Sequence, residues 1–392
     1  MNTCGASRYG LRVRASIEAA PRVNGEREMQ NRRDFLKSIA AAAAGAGVAG
    51  RFAYDVLAQG AAGGRRQISI GGKRIRVIDA HAHLSIRAVS DVVKGTPFER
   101  NGNAAANQVI GPDRIKAMDA LGIDMAVLTQ QGAWWYGVPD RDLARAIVRT
   151  MNEGTAAVVK QYPDRFVGMA AFPIQFPDLA AEALEDGVKR LGLKGGGISA
   201  GFIPDKEFSA PEYDVFWAKA QELGVLLFMH PGGDTGAEAH LRGKGNLGNT
   251  IGNPLETTIF LSHLIYEGTL DKFPGVKICC AHAGGFLPSY MGRTDGACVR
   301  QPDACSSKKR PVDEYFKTQI MADSMIFRDD GLRHMIAEMG VGQIVYGTDM
   351  PFPWPINPDT ILNNRLLNNA EKEAILGGNL VKLLKLSPTA TA

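Results

Sequence analysis

Short, strongly apolar runs alternate along this chain with longer stretches whose apolar residues recur every three or four positions. The runs lie at 76–80, 126–129, 166–171, 195–199, 225–229, 276–281, 318–322 and 343–346. Most are bounded by Gly, Pro or polar residues, the pattern of strands covered on both faces. Helical stripes fill the intervals. After the second run, Leu143, Ile147 and Met151, with Ala144 and Val148, share one face. Residues 177–190 open on Pro-Asp and carry Leu179, Ala183 and Leu184; residues 211–223 and 254–273 repeat the proline at the helix start. Eight alternations of strand and helix predict an α/β chain closed as a (β/α)8 TIM barrel, one domain over 66–386. No Gly-x-Gly-x-x-Gly follows the first strand, which argues against an open doubly wound sheet. No internal repeat or second domain is visible, and 387–392 reads as a frayed tail.

The first 65 residues break the pattern. Asn31-Arg32-Arg33-Asp34-Phe35-Leu36-Lys37 resembles the twin-arginine export motif. A mildly apolar Ala/Gly stretch follows from Ile39 to Gly50, too short and weakly apolar to span a bilayer. Val56-Leu57-Ala58 offers small residues for cleavage. The segment 1–65 is therefore read as signal and linker, with a periplasmic mature protein that has no membrane span. Met29 stands just before the motif, so 1–28 are expected to lie upstream of the true start.

Composition changes the picture little. Of 392 residues, 45% are apolar and 22% charged, ordinary for a globular enzyme, and the formal net charge is +4. No basic stripe is present, which excludes nucleic acid as a partner class. Five cysteines include no Cys-x-x-Cys, against a thiolate zinc site. Cys279 and Cys280 sit inside a buried run and read as packing residues, while Cys298 and Cys305 can either pair or stay free.

The chemistry collects at strand ends. Asp79-Ala80-His81-Ala82-His83 ends the first strand, and His230-Pro231 the fifth. His282-Ala283-Gly284-Gly285 ends the sixth, and Gly347-Thr348-Asp349-Met350-Pro351 the eighth. In a parallel barrel these ends open on one face, where imidazoles and a carboxylate can gather around one divalent cation. Residues two apart on a strand point the same way, so His81 and His83 can both face the axis. Buried strands seldom end in ionisable groups, so four such endings are informative. Ordinary structural roles stand beside each: core histidines, a glycine-requiring turn around His282, a cap at Asp349, a surface arginine at Arg293. Asp79 reads as an orienting group behind the ligands. Trp134-Trp135-Tyr136 follow strand two and are read as a substrate wall, with a dimer contact as the alternative. His240 lies in the glycine-rich loop after His230, on the mouth side, and is a candidate for touching substrate. His263 and His334 fall within helices and read as structural.

These residues resemble the amidohydrolase superfamily, specifically the amidohydrolase-2 branch that contains aminocarboxymuconate semialdehyde decarboxylase. The resemblance runs over about 77–384. It is most specific in Asn253-Pro254-Leu255-Glu256-Thr257-Thr258, in His282 through Arg293, and in Tyr346 through Pro353. It implies that His81, His83, His230 and Asp349 are metal ligands and that His282 is the catalytic histidine. It implies that Arg293 binds a substrate carboxylate, often across a homodimer. Zinc is the ion it puts first, with manganese as the alternative. Lys194 begins its strand rather than ending it, so one metal is expected, not the lysine-bridged pair of binuclear relatives. The implied activity is a carboxy-lyase acting on a small conjugated or aromatic carboxylic acid, with His282 and Asp349 as catalytic groups. The alternative is a hydrolase or hydratase using metal-activated water.

Overall fold

The apolar runs form strands because β-branched and aromatic residues pack well on a pleated surface that is buried on both sides. The computed structural model describes residues 64–132, 134–200, 206–233 and 235–387. The export motif, the cleavage site and most of the linker lie outside these described residues, as does the tail from 388. Among the described residues, no helix is long and apolar enough to cross a membrane.

Strands β1 (Ile78–Leu84), β2 (Met125–Gln130) and β3 (Phe166–Gly168) form one parallel sheet. Strands β4 (Gly195–Ala200), β5 (Leu226–Pro231), β6 (Lys277–Cys280), β7 (Ile320–Asp323) and β8 (Ile344–Val345) form another, each paired with its neighbour in sequence. Both seams between the sheets are bridged. Ala170 pairs with Gly196 on one side and Ala82 with Met350 on the other. Backbone hydrogen bonds at the second seam run from Ala80 N to Tyr346 O and from His83 N to Met350 O, each 2.8 Å. The strands thus follow one another in chain order around a ring.

Between the strands lie α1 (Pro112–Leu121), α2 (Arg141–Gln161), α3 (Pro177–Lys189), α4 (Asp214–Leu223) and α5 (Asn253–Tyr266). They are followed by α6 (Met291–Arg300), α7 (Val312–Thr318) and α8 (Asp329–Met339). Helix α2 shows why they form. Asp140 caps it by accepting from Leu143 N at 2.7 Å, and Ala144, Ile147, Val148 and Met151 are buried along one face. Each large apolar side chain so buried contributes about 1.5–3 kcal/mol. Two expected helices are shorter than their pattern. The 254–273 stretch breaks into two at Gly268, which takes a left-handed φ of 81°, and Pro211–Tyr213 is a separate 3-10 turn before α4.

Two apolar cores result. One fills the ring and takes alternate residues of successive strands, among them Ile78, Ala80, Met125, Val127, Leu226, Phe228, Cys279 and Val345. The other lies between strands and helices and takes their neighbours, among them Ala126, Leu128, Leu227, Met229, Ile278 and Ile344. Gly195 keeps the wall tight, since a Cβ there would fall 2.0 Å from the carbonyl oxygen of Leu226. Both Cys279 and Cys280 are buried and free, and Cys298 pairs with Cys305 in a disulfide.

Candidate metal centre

Strand β1 changes phase where the chemistry begins. Ile78 and Ala80 belong to the core inside the ring, but Ala82 and Leu84 belong to the core outside it. The register against β2 shifts between Asp79 and Ala82, the signature of a bulge. The shift turns His81 and His83 inward, and both are 0% exposed. Strand β5 needs no such device, because His230 continues the inward alternation of Leu226 and Phe228.

Asp349 arrives from the loop after β8, with a left-handed φ of 61°. Its backbone N–H donates to His81 O at 2.8 Å. Asp79 holds this crossing together: its carboxylate accepts from His81 N at 2.9 Å, from Thr348 N at 3.0 Å and from the Thr348 hydroxyl. Gly347 lets the chain pass, because a Cβ there would meet the Cβ atoms of Asp323 at 2.8 Å and His81 at 3.0 Å.

The ring nitrogens are aimed from behind. His81 Nδ1 donates to Asp323 Oδ2 at 2.7 Å, and His230 Nδ1 donates to Pro231 O at 2.8 Å. Both Nε2 lone pairs are thereby left for the centre. The Nε2 atoms of His81 and His83 face each other at 3.2 Å, and Asp349 Oδ1 lies 3.2 Å from the first and 3.0 Å from the second. His230 Nε2 is buried without a hydrogen-bond partner among the described residues. One ligating atom from each of His81, His83, His230 and Asp349 lies within 4.8 Å of the other three. Converging lone pairs and an orphaned buried nitrogen are costly unless a cation joins them. The four side chains therefore form a site for one divalent metal ion, with the imidazole and carboxylate donors that such ions take.

With no cation bound, the electrostatics divide the histidines. Burial pushes the His81 imidazolium down, but Asp349 and Asp323 push it further up, to about 10. Burial dominates at His83 and lowers its pKa to about 4. His230 is driven well below its ordinary value by burial and by the other histidines. For Asp349 burial acts upward, but His81, His282 and His83 hold it far below the usual carboxylate range.

His282 stands beside this cluster rather than in it. It occupies a turn after β6 with φ 53°, followed by Ala283 at φ 60°. The Asp323 carboxylate pins the turn by accepting from His282 N at 3.1 Å and Ala283 N at 2.9 Å. Gly285 is required there, since a Cβ would lie 2.5 Å from Pro254 O. His282 Nε2 lies 3.9 Å from Asp349 Oδ2. That same oxygen accepts from Trp354 Nε1 at 2.8 Å. A cavity of about 360 Å³ opens from His230 and Asp349 and is walled by amides and by Phe352 and Trp354. A second cavity of about 420 Å³ lies between the loops after β7 and β8 but includes none of the four ligands. The first is the chemically equipped one.

Three expected contacts are not at this cavity. Trp135 does not form a substrate wall: it is 2% exposed and belongs to the outer core. Its indole N–H needs a buried partner and donates to Phe172 O at 3.0 Å, which draws the ring inward. His240 is exposed on the 3-10 turn Glu238–His240 and does not line the cavity. Arg293 is exposed on α6, outside the cavity of its own chain, with no ion pair among the described residues. His263 and His334 pair with neighbours on the surface, with Glu267 and Ser289 respectively. The sequence reading missed Asp323 and Trp354. Asp323 was findable, since it too is an ionisable group ending a buried strand.

A family model described as amidohydrolase matches residues 78–386. The gamma-resorcylate decarboxylase of Polaromonas sp. is 31% identical over 285 residues, 70% of this chain and 87% of that protein. The crystal structure of 2,6-dihydroxybenzoate decarboxylase complexed with 2,6-dihydroxybenzoate is 27% identical, with a TM-score of 0.67 over 80% of this chain and 100% of that one. A dihydroxybenzoic acid decarboxylase from Polaromonas sp. JS666, solved with bound manganese and the inhibitor 2-nitroresorcinol, is 27% identical with a TM-score of 0.69, over 80% of this chain and 97% of that one. With three imidazoles and one aspartate at the rim of a ring of parallel strands, and with these relatives, the chain belongs to the amidohydrolase family, in its branch of metal-dependent decarboxylases.

Proposed function

We propose that this protein is a carboxy-lyase that removes carbon dioxide from a small aromatic carboxylic acid bearing ring hydroxyls. The observation that carries the reading is His282, held 3.9 Å from Asp349 at the edge of the four-ligand site without joining it. The cavity of about 360 Å³ suits a single substituted ring. His81, His83, His230 and Asp349 would hold a divalent ion, which when bound would supply Lewis-acid polarisation of the substrate. Zinc and manganese both suit this donor set, and the manganese in the Polaromonas relative favours manganese.

His282 carries the proton. The bond between ring carbon and carboxylate breaks, its electron pair passes into the ring, and carbon dioxide leaves. A proton from His282 then fills the vacated position, and solvent returns one to the imidazole. Asp349 steadies that ring through Oδ2, while Trp354 fixes the carboxylate rotamer. Arg293 is proposed to reach a second copy of the chain and grip the substrate carboxylate there, as a planar fork suited to it. Helix α6 supports a homodimer, with Val299 83% exposed and Tyr290, just before the helix, 54% exposed.

Metal-loaded protein incubated with hydroxybenzoic acids in deuterium oxide should release carbon dioxide and leave one deuterium on the vacated carbon. A chelator should stop the reaction and added metal restore it. Hydrolysis of esters or lactones, with no acid in the panel losing carbon dioxide, would instead establish the hydrolase alternative.

The twin-arginine segment supports export to the periplasm, and the Cys298–Cys305 disulfide is of a kind that persists in oxidising compartments. Cell fractionation with N-terminal sequencing should find a processed protein in the periplasm, beginning after Ala58. An unprocessed chain confined to the cytoplasm would refute export.

A further inference from the structure

We infer that the cavity selects a substrate with a single carboxylate, whose other ring substituents are neutral hydroxyl or alkoxyl groups, over one with a second carboxylate. The selecting residues are Gln131, Asn246, Asn249 and Asn253. The inference rests on the carboxy-lyase reading and narrows its substrate.

A relay fixes how Gln131 presents itself. Ser85 Oγ donates to Gln108 Oε1 at 2.7 Å, and Gln108 Nε2 donates to Gln131 Oε1. Gln108 is buried, and its backbone carbonyl accepts from Ser85 N at 3.1 Å, so the relay is anchored at its far end. The oxygen of Gln131 is thereby taken, and its NH2 group remains to donate into the cavity. Asn246, Asn249 and Asn253 line the same cavity, and their side chains make no hydrogen bond to another described residue. Each amide there can donate to or accept from a hydroxyl.

A second carboxylate meets a different balance. Among the described residues, no Lys or Arg lines the cavity, and Asp349 brings a negative charge of its own. A divalent ion held by the four ligands would be engaged by Asp349 and the first carboxylate, and none of the wall amides adds a positive charge for a second. Arg293 of another copy, engaged on the first carboxylate as proposed above, leaves the amide wall as it is. Amides can donate to a second carboxylate but cannot neutralise it, so desolvating it against this wall, half-buried at Gln131, Asn249 and Asn253 and exposed at Asn246, costs more than desolvating a hydroxyl, to which amides both donate and accept. The wall thus rejects charge as well as accepting hydroxyls.

The test uses matched ligand pairs on the metal-loaded full chain. Each dihydroxybenzoate that keeps a hydroxyl beside the carboxylate is paired with the hydroxy-dicarboxylate carrying a carboxylate in place of the second hydroxyl. Gentisate and its hydroxyisophthalate counterpart make one such pair. Calorimetric binding should favour the hydroxyl member by about tenfold or more. Gln131→Leu and Asn249→Leu should each weaken the hydroxyl member while salicylate, which lacks the second hydroxyl, binds as before. Asn249→Lys should raise the affinity of the dicarboxylate, and metal content shows that each variant is folded. Equal or tighter binding of the dicarboxylate in any pair by the unaltered protein overturns the inference. So does a loss of salicylate binding equal to that of the dihydroxybenzoates in both leucine variants. Carbon dioxide release, followed in parallel, tests the carboxy-lyase reading separately, because the binding ratio does not depend on turnover.

Discussion

Replacing His282 by alanine should lower kcat by about 10²- to 10⁴-fold and leave the metal bound. The size follows from removing a positioned proton carrier whose ring faces Asp349 across 3.9 Å. The retention of metal follows from the separate grouping of His81, His83, His230 and Asp349, which converge without it. The turn that holds His282 is fixed by backbone hydrogen bonds to Asp323 and by Gly285, so truncating the side chain leaves the turn intact. Metal analysis beside single-turnover rates separates the two roles. If the variant loses its ion along with its activity, His282 is a ligand and the proposed division of labour fails.

Asp323→Asn should weaken metal binding by about 10- to 100-fold, although Asp323 is not itself a ligand. As a carboxylate it accepts from His81 Nδ1, His282 N, Ala283 N and Met325 N. An amide has one accepting end and one donating end. If the donating end faces His81, Nδ1 must become the acceptor and the ring proton moves to Nε2, which blocks the lone pair the metal needs. If it faces Ala283 and Met325 instead, two buried N–H groups lose their partner and the His282 turn loosens. The pH dependence should change as well. With no cation bound, burial lowers the His81 pKa but Asp349 and Asp323 raise it further, to about 10, so the ring holds a proton at neutral pH. Loading a cation expels that proton, and affinity should therefore climb as pH rises toward that value. Removing the Asp323 charge lowers the His81 pKa and makes the climb shallower. Calorimetry in buffers of different ionisation enthalpy counts the protons released. Unchanged affinity and proton count in the variant would show that Asp323 is only a packing partner.

The eight apolar runs were visible as strands because burial on both faces leaves a continuous apolar signature, whatever the strand's neighbours. Their ends were less visible. The first was expected to stop at Ala80 but continues to Leu84 through both histidines, since polar residues there are buried by the centre they build. Helix interruptions such as Gly268 were hidden inside a favourable apolar pattern. The aromatic triplet misled because exposure of a loop side chain is not written locally. Trp135 found a carbonyl in the core at Phe172, far away in sequence.

Residue types and their strand-end positions were enough to predict a divalent site of imidazoles and a carboxylate, because coordination chemistry admits few donors; which four are ligands and that His282 stands apart was implied only by the family resemblance. The inward aim of His81 and His83 was decided only in three dimensions. Strict alternation from Ile78 and Ala80 would have pointed both rings outward, and the register shift against β2 reverses the phase. Such a shift is a property of two paired strands, and so are the contacts of Asp323 and Trp354 that orient the ligands. Neither strand carries it alone.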